Sequence, residues 1–209
     1  MPSTVVHLAL AGVVGVALLG EEFTPRALAV VLAAAALIDS DAFVGLVLPG
    51  AHRSLFHTLL LPVALGGVVA YDSRVRGGAS FLRHRWGDHG VRVAWVAVAG
   101  LTFGGIFPDL FTNGVNAFYP IHDTFYRVNG RLLVSSQRGL VQTFVELAPE
   151  TPRPTTETLH YSTAVDPTPG REPENVERVF PVVMAGWQLM LVVVGGFVMG
   201  TRLWEFYRD

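Results

Sequence analysis

The chain has 209 residues, a formal net charge of −2 and no cysteine, and 51% of its residues are hydrophobic against 15% charged. The charged share is well below the roughly 25% of an ordinary soluble domain and mean hydropathy is +0.43, so the composition points to a membrane protein. The lack of cysteine excludes disulfides and thiolate metal sites, and the lack of a basic balance argues against a nucleic-acid partner.

A helix needs about 20 apolar residues to cross the hydrocarbon core of a bilayer. Five runs approach that length: 4–20, 26–48, 55–71, 92–112 and 179–201. They predict an all-α polytopic membrane protein of about five transmembrane helices. The first run has no positive flank and no small-x-small site after it, so it reads as a retained span rather than a cleaved signal. Thr24-Pro25 opens the second run, with proline at the first helical position. Pro62 and Gly66-Gly67 predict a kink in the third. Trp204, Phe206 and Tyr207 follow the fifth as an interfacial aromatic anchor.

Between the fourth and fifth runs the pattern changes. Phe125–Val128, Asn129-Gly130 and then Arg131–Ser136 read as a hairpin with a type I′ turn, and 139–147 can supply a third strand. Residues 149–178 carry Pro149, Pro152, Pro154, Pro167, Pro169 and Pro173, the composition of an extended linker without a core of its own. The expected organisation is a four-helix membrane domain over 1–112, a small extramembrane β cap over 113–148, a proline-rich linker over 149–178, and a fifth helix with its tail over 179–209.

All fifteen basic residues are arginine, a usage expected of a GC-rich source, haloarchaea included. Arg74, Arg76, Arg83, Arg85 and Arg92 crowd the connection 72–92, which the positive-inside rule assigns to the cytoplasm. Five spans then place the N-terminus outside and the C-terminus inside a multi-pass inner-membrane protein. His7, Asp39, Asp41, His52, His57 and Asp109, with His122 just beyond, fall at the outer face, although the topology argument used none of them.

Asp and His are the oxygen and nitrogen ligands of zinc, manganese and iron sites, and an ionisable residue within a span is a functional hypothesis by default. All seven are candidate metal ligands, with Asp39, His57 and Asp109 as candidate catalytic residues. Asp39 and Asp41 lie roughly 200° apart on an ideal helix. They converge only if the helix ends or unwinds there, and the Pro49-Gly50 turn must fold His52 and His57 back over them. Arg53 is the candidate substrate-binding residue, able to pair with an Asp or with an anionic group. His84 and His89 read as solvated or headgroup contacts, and His160 as idle. No HExxH helix, GxSxG elbow or phosphate-cradling glycine loop occurs.

His7, the Asp39-Ser40-Asp41 pair and His52-Arg53-Ser54-Leu55-Phe56-His57-Thr58 resemble the YdjM-type, inner-membrane-associated metal-dependent hydrolase family. That family shows an early His, a DxD pair, an HRxxxHS-like motif and a later GxxSHxxxD. The resemblance spans about residues 5–120, and HRxxxH is its specific part. The family in turn resembles the zinc-dependent phospholipase C and single-strand nuclease superfamily. It implies a divalent metal, Zn²⁺ first with Mn²⁺ or Fe²⁺ as alternatives, a phosphoester or lipid substrate, and membrane lipid as a partner. Two departures stand out: Gly105 occupies the position of the family His four residues before Asp109, and Ile38 that of a Pro before the Asp pair. A non-catalytic scaffold with a degenerate metal site is the second reading. A transporter using the intramembrane acids is the third, against which stand the clustering at one rim and the lack of an inverted repeat.

Overall fold

The computed structural model describes residues 2–144 and 152–208. The apolar runs, rich in the strong helix formers Ala and Leu, fold as α1 (Thr4–Leu19), α2 (Pro25–Leu37), α3 (Asp41–Gly45), α4 (Leu60–Ala70), α5 (Phe81–Ala99), α6 (Phe107–Leu110) and α7 (Gly186–Arg208). A 3₁₀ turn over Ile38–Ser40 joins α2 to α3, and a π-helical stretch over Gly100–Ile106 joins α5 to α6. Among the described residues, four helical stretches are therefore long and apolar enough to cross a membrane: Thr4–Glu22, Pro25–Gly45, Phe81–Leu110 and Gly186–Arg208. Large apolar side chains such as Val63, Val68, Val193 and Phe197 face outward, as lipid-facing positions do.

The expected third span is the short one. Its eleven-residue α4 and the five-residue π turn Tyr71–Val75 together rise about 24 Å at 1.5 Å per residue, less than the roughly 30 Å hydrocarbon core. They still link the two ends of the bundle. At the far end, the Asp72 carboxylate accepts from the N–H groups of Phe81 and Leu82 at 2.9 and 3.0 Å and from the Ser80 hydroxyl at 2.8 Å, capping α5. Pro62 does not interrupt α4: it falls in the first turn, where its missing N–H has no intrahelical partner to lose.

Other boundaries move for local reasons. Thr24 does cap α2, its hydroxyl accepting from the Ala27 N–H at 3.0 Å behind Pro25. Helix α5 starts inside the arginine-rich connection, because Ser80 and Asp72 cap it, and it breaks at Gly87, where φ is 68°. The last helix begins at Gly186 rather than 179, since Pro181 keeps the preceding segment out of the helix.

The hairpin is also displaced. Strands β1 (Leu132–Ser135) and β2 (Gly139–Gln142) pair antiparallel with Leu132 opposite Gln142 and Ser135 opposite Gly139. The turn is thus Ser136-Gln137-Arg138, not Asn129-Gly130. The Ser135 hydroxyl accepts from the N–H groups of Gln137 and Arg138, both at 3.2 Å, and Gly139 supplies the positive φ of 67° that closes a three-residue loop. The expected third strand becomes β2; its residues 145–147, and the linker's start at 149–151, lie outside the described residues.

The rest of the linker is irregular but tied down. Phe125 donates its N–H to the Pro154 carbonyl at 2.9 Å, Thr156 donates its N–H and hydroxyl to Asp123 at 3.0 and 2.6 Å, and Arg178 donates to the Ala164 carbonyl at 2.8 Å. It forms a strap across one end of the helices. That end is brought together by close backbone approach: a Cβ on Gly104 would stand 2.5–2.6 Å from Ala11, so only glycine lets α1 meet the π stretch.

Candidate metal centre

Helix α2 stops at Leu37 and the chain tightens before α3 resumes at Asp41. A 3₁₀ turn advances about 120° per residue, so the two carboxylates separate into different surroundings. Asp41 is fully buried, while the side chain of Asp39 keeps 22% of its exposure. The chain then reverses at Pro49-Gly50, where Gly50 has φ 76° and Thr156 of the strap packs on it too closely for a Cβ. Residues Ala51–Leu59 stay in turns, so His57 sits on a loop and not in the first turn of a helix.

That loop is pinned by Asp41. Its Oδ1 accepts from Nδ1–H of His52 at 2.7 Å, and its Oδ2 accepts from Nδ1–H of His57 at 2.8 Å and from the Arg53 N–H at 3.1 Å. Arg53 takes a left-handed φ of 63°, a costly conformation for a side chain of its size, which these bonds and the bond from the Asn116 N–H to the Arg53 carbonyl at 2.8 Å hold in place. On α1, His7 donates Nδ1–H to the Gly104 carbonyl at 3.0 Å.

With both Nδ1 atoms donating, the Nε2 lone pairs of His7 and His57 are left over. Both Nε2 atoms are buried and lack a hydrogen-bond partner among the described residues. They face two carboxylates. His57 Nε2 lies 3.0 Å from Asp109 Oδ2 and 3.6 Å from Asp39 Oδ1, and His7 Nε2 lies 3.6 and 3.8 Å from the same oxygens. The donor atoms of His7, Asp39, His57 and Asp109 all fall within 4.8 Å of one another, a group that could hold a metal ion. A tetrahedron with bonds of about 2.0–2.1 Å has edges of roughly 3.3 Å, which is the scale of these separations.

Charge gives an independent argument. Among the described residues Asp39, Asp41 and Asp109 gather with one guanidinium, that of Arg53, whose Nη2 bonds Asp109 Oδ1 at 2.6 Å. With neutral histidines, three carboxylates against one cation leave a formal −2 in a buried site. Unpaired buried charge is expensive, and a divalent cation cancels it.

The remaining expected site residues take other places. Asp41 lies outside the four-residue group and orients both histidines with both of its oxygens. His52 also lies outside it, held by Asp41 at Nδ1. Arg53 is 1% exposed, bound to Asp109 and packed with its guanidinium carbon 4.7 Å from the centre of the Tyr161 ring, so it is committed to the protein and not free for substrate. His122 is exposed, its ring 6.2 Å from that of Tyr126, and it does not join the cluster. The sequence reading missed Thr4, which donates its hydroxyl to Asp39, and Tyr161, which donates its own to the Asn113 carbonyl at 2.8 Å. Thr4 is three residues before His7, a same-face helical spacing that was available as a signal; nothing local marks Tyr161.

A family model described as YdjM inner membrane protein matches residues 1–198. The chain belongs to the YdjM inner membrane protein family. No curated protein and no solved structure matches it. In this YdjM-family chain the Gly105 departure is a packing matter. A Cβ there would stand 2.4 Å from Ile38 Cδ1, so Ile38, in the turn after α2, fills the space an imidazole needs. The four donors assemble without it.

Proposed function

We propose that the protein is a membrane-bound metal-dependent hydrolase acting on a phosphoester or lipid substrate at the extracytoplasmic face, with the N-terminus outside. The carrying observation is the pair of unpartnered Nε2 lone pairs of His7 and His57 converging on Asp39 and Asp109. Two nitrogens and two carboxylate oxygens suit Zn²⁺ best, with Mn²⁺ and Fe²⁺ as alternatives. His7, Asp39, His57 and Asp109 would hold the ion, which when bound supplies Lewis acidity and activation of water. Asp41 fixes the tautomer and orientation of His57, and Arg53 holds the Asp109 carboxylate in place. Asp39, the most exposed of the four, borders the cavity from which substrate would arrive.

Burial favours a second reading. His7, His57 and Asp109 are 0–1% exposed, and structural metal sites are closed where catalytic ones keep an open position. A structural metal in a membrane scaffold would look the same on three sides. Elemental analysis of the purified full-length protein, with His57→Ala and Asp39→Ala alongside, tests the metal; a phosphodiesterase screen of the loaded protein separates the two readings. Stoichiometric metal in both variants overturns the site. Metal without turnover of any phosphodiester favours the scaffold.

A further inference from the structure

A cavity of about 360 Å³ borders the cluster on the side of Asp39. Ala36 and Phe43 form one wall and Phe180 and Pro181 another, with Asp39 and His52 on the same lining. Four lining hydroxyls are already engaged, that of Thr163 by accepting from the N–H groups of Val165 and Asp166 at 3.2 and 2.9 Å. Ser3 donates to the Val182 carbonyl at 2.6 Å, Ser40 to the Leu37 carbonyl at 2.5 Å, and Thr4 to Asp39. His52 is different. It is 8% exposed, Asp41 takes its Nδ1–H at 2.7 Å, and its Nε2 has no hydrogen-bond partner among the described residues. A buried acceptor without a donor is costly, and the residue that carries it lines an apolar-sided chamber next to the four converging donors. Among the described residues no arginine lines the chamber, so it offers no fixed cation to a soluble polyanion.

We infer that this cavity is the substrate chamber and that it takes an amphiphile: a phosphodiester lipid whose headgroup carries a free hydroxyl, which donates to His52 Nε2 while the apolar chain lies between Phe43 and Phe180. The inference rests on the hydrolase reading for the position of the phosphoryl group. The tail follows from the aromatic and aliphatic walls, which sit at the helix ends of a membrane protein. The hydroxyl follows from the bond of His52 Nδ1 to Asp41, which in the neutral imidazole leaves Nε2 as the acceptor. A site built to bond a substrate hydroxyl rejects the analogue lacking it far more strongly than an apolar pocket rejects an added group.

The test uses full-length, zinc-loaded protein in an amine-oxide detergent, which brings no hydroxyl donor. Binding of dioctanoyl phosphatidylglycerol is compared by native mass spectrometry with dioctanoyl phosphatidylethanol, of equal charge but without the headgroup hydroxyls, and with glycerol phosphate, which has no tail. Phosphatidylglycerol should bind about tenfold or more tighter than either. His52→Ala should abolish its advantage over phosphatidylethanol, and Ala36→Trp, which narrows the chamber from a half-buried position, should weaken both lipids about tenfold. Equal binding of the two lipids, glycerol phosphate matching the lipid, or unchanged binding in Ala36→Trp overturns the inference. Zinc content read on the same samples keeps the failures apart. Zinc without lipid preference sinks the chamber alone, and lipid preference in wild-type protein that takes up no zinc sinks the metal reading alone.

Discussion

Asp41 holds His57 by a bond of 2.8 Å from Nδ1–H to Oδ2, and it does so from full burial with its other oxygen given to His52. A carboxylate in this position fixes which imidazole nitrogen carries the proton and raises the basicity of the other. Asp41 would therefore act on an ion held by the cluster through His57, and not as a ligand itself.

Asp41→Asn should keep the fold and weaken zinc binding about 10- to 100-fold, the usual effect of losing such a partner. Competition with a chelator of known affinity measures it. A loss of zinc as complete as in Asp109→Ala would return Asp41 to the ligand set.

Arg53 and Asp109 form a pair in which both side chains are 1% exposed. Removing one partner of a buried pair costs about 3–5 kcal/mol, because the other charge stays behind. Arg53→Ala should accordingly lower the thermal midpoint sharply even in zinc-loaded protein. A surface arginine such as Arg138, in the hairpin turn, should lower it little when replaced. If Arg53→Ala kept wild-type stability and lost only substrate affinity, the arginine would be a substrate group after all.

Much of this centre was legible in the sequence because the bilayer makes ionisable residues conspicuous. His7, Asp39, His57 and Asp109 stood out in apolar runs, and the arginine count gave them one side. Helical periodicity required the chain to unwind near Asp39, which the turn over Ile38–Ser40 does. The division of labour was not legible. Whether Asp41 or Asp39 joins the four converging donors depends on the pitch of a three-residue turn, and Arg53 is engaged by Asp109, 56 positions away. The hairpin register failed for a local reason: Asn129-Gly130 is the stronger turn signal, but Ser135 and Gly139 together close a competing loop that keeps Leu132 opposite Gln142.

The formal −2 of the centre makes metal removal a stability experiment as well as an activity one. A ligand that binds only the folded state stabilises it by about 4 kcal/mol at a thousandfold excess over Kd. Chelation should lower the thermal midpoint of the wild type, and zinc should restore it. His57→Ala should show no such response. A midpoint indifferent to chelator and zinc would mean that the cluster balances its charge with protons instead.

The strap carries its own pH dependence through Asp123, which lies outside the membrane-spanning helices. Partial burial pushes its carboxyl up, but the hydroxyl and N–H of Thr156 and the amide of Asn116, at 2.6 Å, outweigh that and hold it below the usual carboxylate range. A folded-state pKa below the unfolded one means that the anchoring is complete above the ordinary value of about 3.9 and fades as pH falls through the lowered folded value. Hydrogen exchange at the Thr156 amide, corrected for the intrinsic effect of pH, should stay slow from neutrality down to mildly acid pH and quicken only below the ordinary carboxylate value. In Asp123→Ala it should be fast throughout, with zinc content unchanged, since Asp123 is not among the four donors. Equal protection in wild type and Asp123→Ala at neutral pH would show that the strap is held elsewhere, by Tyr161 on Arg53 and by the Pro154 carbonyl on Phe125.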